Sequence, residues 1–212
     1  MAGTSPARTT ALNDDGVKPN AGTDMTETVK VITICGSLRK GSYNAALAHM
    51  AIKLAPPGMS VSPSPPIGDI PLYNFDVQSA GFPGPVNDLA AAIRAADGIL
   101  FCSPEYNWSI PGVLKNAIDW VSRVKDQPFA EKPVAFQSAA GGLLGGSRMQ
   151  YHLRQSLTSL DVHLFGRPEV IVTFAPQKFD AKTLELTDQP TIDMIKQQLA
   201  GFEKYIRKHT GK

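Results

Sequence analysis

Three stretches of this chain concentrate groups suited to holding a polar ligand. The first reads Gly36-Ser37-Leu38-Arg39-Lys40-Gly41-Ser42-Tyr43-Asn44 and leads into a helical pattern. A helix N-terminus offers unpaired N–H groups and partial positive charge, which suits an anion. Ser37, Ser42 and Asn44 add neutral donors, and Arg39 adds a planar fork that matches phosphate. Two common phosphate loops are excluded by spacing. Gly36-x4-Gly41 is followed by Ser42 where a Walker loop requires Lys, and the stretch is not G-x-G-x-x-G.

The second stretch reads Ser103-Pro104-Glu105-Tyr106-Asn107-Trp108-Ser109-Ile110-Pro111-Gly112 and follows an apolar strand directly. Aromatic side chains placed beyond the end of a strand can stack on a flat ligand while nearby backbone reaches its polar edge. Trp108 suits either that role or packing against helices. The third, Ser138 to Ser147, contains Gly141, Gly142, Gly145 and Gly146. Such a run lets backbone approach a ligand closely and points several N–H groups one way.

The elements that must position these loops alternate along the chain. Val29–Cys35 is a β-branched strand stopped by Gly36, and Leu47, Met50, Ala51 and Leu54 then recur at helical spacing until Pro56-Pro57-Gly58. A Pro-broken strand near 59–61 suits a sheet edge. Residues 62–85 form a long Pro- and Gly-rich loop of functional length. Val86, Leu89, Ile93 and Ala96 mark a second helix, and 98–102 is a short apolar strand. Ser109 is positioned to cap a third helix with Pro111 in its first turn. A strand follows over 133–138, a helix through Met149, Leu153, Leu157 and Leu160, a strand within 170–174, and a last helix from near Asp188 to Ile206.

Five repeats of strand and helix with fully apolar strands predict an α/β three-layer sandwich around a parallel sheet. A first strand at the start of the domain suits the flavodoxin-like order 2-1-3-4-5. Ligands of such sheets sit beyond the carboxyl ends of the strands, at the switch point between the first and third. The loops after Cys35, Cys102 and Ser138 should therefore face one site.

The 212 residues carry 42% hydrophobic and 19% charged residues, with 21 Lys and Arg against 19 Asp and Glu. A near-even charge argues against nucleic acid or an anionic membrane as the main partner. No apolar run approaches the roughly 20 residues of a membrane helix. Cys35 and Cys102, far apart in sequence, argue against a disulfide scaffold and against zinc, and place the protein in the cytoplasm. In this topology they end neighbouring strands, as buried free thiols. His49, His152, His163 and His209 fall in different elements without metal-like pairing. Lys204, Arg207, Lys208 and Lys212 suit the dipole of the last helix and need no partner. Residues 1–26 are nearly devoid of apolar anchors and read as a disordered extension, with Met25 as an alternative start. Residues 27–212 form the domain.

GSLRKGSYN after the first strand, SPEYNWSIPGVLKNAIDW after the third and the SAAGGLLGG loop together resemble the NADPH-dependent FMN reductase family, the flavodoxin-like group that includes chromate and quinone reductases. Asp69-Ile-Pro-Leu-Tyr-Asn-Phe-Asp76 is similar to that family's second long loop, and the likeness runs from about Val29 to Arg207. The resemblance implies FMN at the switch point. Ser37, Arg39, Ser42 and Asn44 would hold its phosphate. Pro104, Glu105, Tyr106 and Asn107 would border the isoalloxazine from one side, and Ser138, Gly141 and Gly142 from the other. It also implies NADPH or NADH as co-substrate, a small-molecule electron acceptor and a homodimer or homotetramer.

The expected activity is ping-pong transfer from NAD(P)H through FMN to a quinone, flavin, azo compound or metal oxyanion. The flavin carries the chemistry and the protein supplies position and electrostatics, so no catalytic acid–base pair and no metal are expected. Glu105 is placed to tune or bound the site. Arg148 and Tyr151 share a helix face at its rim, which suits substrate entry, a subunit contact or plain exposure. The rival reading is a flavodoxin-type electron carrier, although a net charge of +2 gives no hint of an acidic docking face. A serine hydrolase built on Ser37 lacks G-x-S-x-G and a His partner.

Overall fold

In the computed structural model, β1 (Val29–Cys35) is an interior strand, next to the edge, of a sheet in which every strand pairing is parallel. The structure describes residues 1, 3 and 27–212, so the extension expected over residues 1–26 falls, but for two residues, outside the described ones. β1 pairs with β2 (Met59–Pro63) on one side and β3 (Gly98–Cys102) on the other. Next comes β4 (Pro133–Ala139), and the order runs β2-β1-β3-β4-β5, as the alternation predicts.

The fifth position differs from the expected single strand. It is split into β5 (His163–Leu164), beside Pro133 and Val134, and β6 (Val170–Val172), beside Gln137 to Ala139. The intervening segment contains Gly166 and Pro168, and a proline cannot donate to the ladder.

Each strand sends alternate side chains into two cores. Ile32, Ile34, Ile99 and Phe101 pack under α3 (Gly84–Ala95), α4 (Gly112–Val121) and α5 (Ser147–Thr158). Val29, Val31, Leu100 and Cys102 pack under α1 (Tyr43–Lys53) and α6 (Gln189–Thr210). Period-2 alternation on a sheet covered by helices produces this three-layer sandwich.

Three local expectations are corrected. The stretch 62–85 contains a short helix, α2 (Phe75–Ala80), capped by Asn74, which buries no side chain and so leaves no apolar periodicity to read. α4 begins at Gly112, with Pro111 as its N-cap and no side-chain cap. Ile110 precedes a proline and is held out of the helical region, so a helix cannot start at Ser109. Finally, the C-terminal cations do find partners. Arg207 pairs with Glu203 and donates to the Glu27 and Gly58 carbonyls, and Lys212 pairs with Glu27 and Asp97. These contacts fasten α6 to the start of β1. α6 itself begins as expected, its first turn capped by Asp188.

His163 and His209 also meet, their rings 4.4 Å apart, with His163 Nε2 3.1 Å from Glu131. No group of three or more His, Cys, Asp or Glu able to hold a metal occurs among the described residues. No helix among them is long and apolar enough to cross a membrane.

Candidate functional site

The carboxyl ends of β1, β3 and β4 are stitched in sequence. Gly36 donates to the Cys102 carbonyl (3.0 Å) and Ser103 donates to that of Gln137 (3.1 Å). A Cβ on Gly36 would overlap the Ser103 hydroxyl, so glycine lets the first two loops touch. All three chemically distinctive loops thus leave one edge of the sheet, as expected.

In the first loop Ser42 is the N-cap of α1 and is 2% exposed; its hydroxyl accepts from the N–H groups of Asn44 and Ala45. Ser37, half-buried, accepts from the Arg39 N–H. The Arg39 side chain is exposed and its guanidinium makes no hydrogen bond or ion pair among the described residues, lying only over the Tyr43 ring at 5.8 Å. Lys40 lines a small cavity together with Ser42, Lys53 and Glu185. Asn44 is 3% exposed and makes a two-way pair with Ala139, donating to its carbonyl and accepting from its N–H, each at 2.9 Å. That pair spans 95 residues and binds the first loop to the third. One Asn44 amide hydrogen stays uncommitted.

The second loop closes on itself. Tyr106 and Ser109 exchange two backbone hydrogen bonds around Asn107 (φ 48°) and Trp108 (φ 69°), a tight turn with two left-handed residues. Asn tolerates that conformation, whereas Trp is strained in it. Its compensation is external. The Arg148 guanidinium stacks on the Trp108 ring at 4.0 Å and pairs with Glu105, its Nε donating at 2.6 Å. Glu105, with its side chain only 8% exposed, also accepts from the Met149 N–H. A carboxylate therefore caps the positive end of α5. Pro104 is half-buried, and Tyr106, Asn107 and Trp108 are exposed, so Trp108 belongs to the surface and not the core.

Gly145 (φ 56°) and Gly146 (φ 92°) are the glycines of the third loop that the backbone requires; a Cβ on either would collide with Ile171 or Ser138. Gly141 and Gly142 are exposed and open, with nothing closer than 3.9 Å to a Cβ at either. Ser138 is wholly buried, its hydroxyl accepting from Gln150 (2.8 Å), so it braces the loop from behind instead of lining the cleft. Gln150 was invisible to the motif reading; a buried glutamine on an otherwise apolar helix face is the signal that points to it.

Glu105, Arg148, Ala140 and residues 142–146 wall a cavity of about 290 Å3. The α1 N-terminus is joined to it through the Asn44–Ala139 pair. Cys35 and Cys102 stand opposite each other across β1 and β3 as free thiols behind the site. Burial raises the pKa of both, and the charge of Cys35 raises that of Cys102 further. Both stay protonated at neutral pH.

A parallel sheet of this order, with an anion-ready helix end and a glycine-rich cleft at its switch point, defines a flavodoxin-like protein. The family model for NADPH-dependent FMN reductases matches residues 29–177, and this chain belongs to that family. It is 49% identical over 185 residues to a quinone reductase of Escherichia coli, covering 87% of this chain and 98% of that protein. It is 49% identical over 187 residues to an NAD(P)H-dependent FMN reductase of Pseudomonas aeruginosa, covering 88% and 100%. Among solved structures it resembles FerB, a flavoenzyme NAD(P)H:(acceptor) oxidoreductase of Paracoccus denitrificans. The TM-score is 0.76 with 31% identity, covering 86% of this chain and 99% of that one.

Proposed function

We propose that this protein is an FMN-dependent NAD(P)H oxidoreductase that reduces quinones. The observation that carries the reading is the meeting, at one sheet edge, of the capped α1 N-terminus and the cleft walled by Glu105, Arg148 and Gly142. The residues present fit FMN. Arg39 offers a guanidinium without a competing partner, and Gly141 and Gly142 leave open the space that side chains would fill.

Ser37, Arg39, the free Asn44 amide hydrogen and the first N–H groups of α1 hold the phosphate. Ser42 acts through its cap, fixing those N–H groups in direction. Pro104 to Asn107 border one side of the ring, and Gly141 and Gly142 border the other with their backbone; Ser138 keeps that backbone in place. Glu105 anchors its loop to α5. When bound, FMN supplies the redox chemistry, accepting hydride from NAD(P)H and delivering electrons to the acceptor. Family membership favours this enzyme over an electron carrier.

A second copy of the chain completes the protein as a homodimer or homotetramer. Leu72, Phe75, Trp108 and Leu143 are exposed, and exposed apolar side chains of this kind mark interfaces. Sedimentation at micromolar concentration is expected to show a species well above 22.7 kDa. Purified protein given FMN is expected to be yellow and to bleach rapidly when NADPH is added anaerobically. Initial-rate lines at several fixed quinone concentrations should be parallel. A yellow protein that NADPH fails to bleach would return the carrier reading, and intersecting lines would show that both substrates bind together.

A further inference from the structure

A cavity of about 660 Å3 shares no residue with the cleft at Glu105 and Gly142 and reaches the first loop only at Ser37 and Leu38. It lies at the β2 edge of the sheet, between α1 and the segment 63–69 that follows β2. We infer that this cavity is a second small-molecule site, built for a neutral aromatic molecule that carries a hydroxyl or carbonyl, the class of phenols and quinones. The inference rests on the cavity walls beyond Ser37, the one lining residue that the flavin reading also uses.

Four observations carry it. First, the volume falls within the range of sites that enclose a drug-sized ligand. Second, the walls are apolar, supplied by Ala48 and Ile52 of α1 and by Pro65 and Ile67 opposite. Third, Thr33 of β1 lines the cavity, and its hydroxyl makes no hydrogen bond among the described residues, so it is free to meet a ligand oxygen. A hydroxyl that opens on an apolar cavity both donates and accepts, which suits a ligand hydroxyl or carbonyl placed against it. Fourth, no Lys or Arg lines the space, while Asp69 and His49 do, so an anion would meet a carboxylate and no permanent cation. The Cys35 thiol, also in the lining, is held in its neutral form by burial.

The same geometry argues against a peptide. An added strand needs N–H donors along the edge it joins, and Pro63, Pro65 and Pro66 have none. Those prolines instead make a stiff wall that loses little entropy when a ligand enters. Leu38, an exposed side chain in the lining, lies over Gly68, where a Cβ would come within 2.9 Å of it.

The test uses flavin-loaded protein with 1-naphthol and naphthalene as probes, followed by calorimetry and by the flavin absorbance. Saturable one-to-one binding of 1-naphthol without change in the flavin spectrum is expected, since stacking on the flavin would perturb that spectrum. Thr33→Val keeps the shape and the β-branching and removes the hydroxyl. It should weaken 1-naphthol by about 3- to 10-fold and leave naphthalene unchanged. Ala48→Phe fills the space and should abolish both. Should that variant fail to fold, Thr33→Val still decides. Absence of saturable binding, equal 1-naphthol affinity in the wild type and Thr33→Val, or survival of binding in folded Ala48→Phe overturns the assignment.

Discussion

Replacing Arg39 by Ala is expected to weaken FMN by about 10- to 30-fold while leaving riboflavin and the fold almost untouched. A hydrogen bond to a charged group is worth roughly 1.5–3 kcal/mol, which corresponds to about 10- to 150-fold in affinity. The Arg39 side chain is exposed, and water competes for the phosphate there, which places the effect at the lower end. Its guanidinium has no partner among the described residues beyond the edge of the Tyr43 ring, so truncation strands no buried group. The melting temperature should therefore move by no more than about 2 °C. Lys40 is the internal control. It sits beside Arg39 in sequence but is exposed and lines a cavity with Lys53 and Glu185, so Lys40→Ala should change FMN affinity by less than about 2-fold. Affinities are read from quenching of flavin fluorescence at two salt concentrations, the Arg39 effect shrinking at the higher. Equal losses for FMN and riboflavin, no loss for FMN, or a larger loss from Lys40→Ala would each remove Arg39 from the phosphate site.

Glu105→Gln keeps the shape but takes the charge from both Arg148 and the α5 N-terminus; melting should fall by about 3–10 °C, and an unchanged melt would show that the ion pair does not hold the turn. Asn44→Ala leaves the buried Ala139 N–H and carbonyl without their partner. Two such groups cost about 2–5 kcal/mol together, so the urea midpoint should drop by about 1–2 M; a smaller change would mean that water repairs the gap. Because burial raises the Cys35 and Cys102 pKa, the folded chain keeps protons that the unfolded chain releases. The associated stability is complete below the ordinary thiol pKa and is lost as pH rises from about 9 upward. Cys102→Ala should flatten that alkaline decline in urea midpoints between pH 7 and 10.5, and parallel declines would assign it elsewhere.

Strand order was legible because the strands are short, wholly apolar and separated by helical patterns, which leaves few topologies. The split of the last strand was not, since two residues at His163 and Leu164 carry no period that a pattern can register. α2 escaped for a related reason: six residues that bury nothing have no face to betray them. At the site, residue types announced the loops but not what each residue does there. Asn44 reads as a phosphate donor and also proves to be a strut, because its partner is a backbone group 95 residues away. Glu105 reads as part of a ring wall and serves as a helix cap, a role set by where α5 happens to begin. Gly145 and Gly146 are required by positive φ, which no spacing rule identifies among four glycines. Local chemistry can be read along the chain, whereas partners chosen by topology cannot.

The Asn44–Ala139 pair also sets a clock for biosynthesis. The first loop leaves the ribosome early, yet Gly36 must await Ser103, and Asn44 must await a residue synthesised 95 positions later. At about 5–20 residues per second that interval is roughly 5–20 s, during which α1 has no third loop to hold. Parallel pairing makes the delay unavoidable, since strands of one direction meet only through long crossovers. A nascent chain halted before β4 would therefore expose the first loop without the strut that fixes it. Acquisition of flavin colour in a synthesis reaction should lag translation of the first loop and report that β4 has docked.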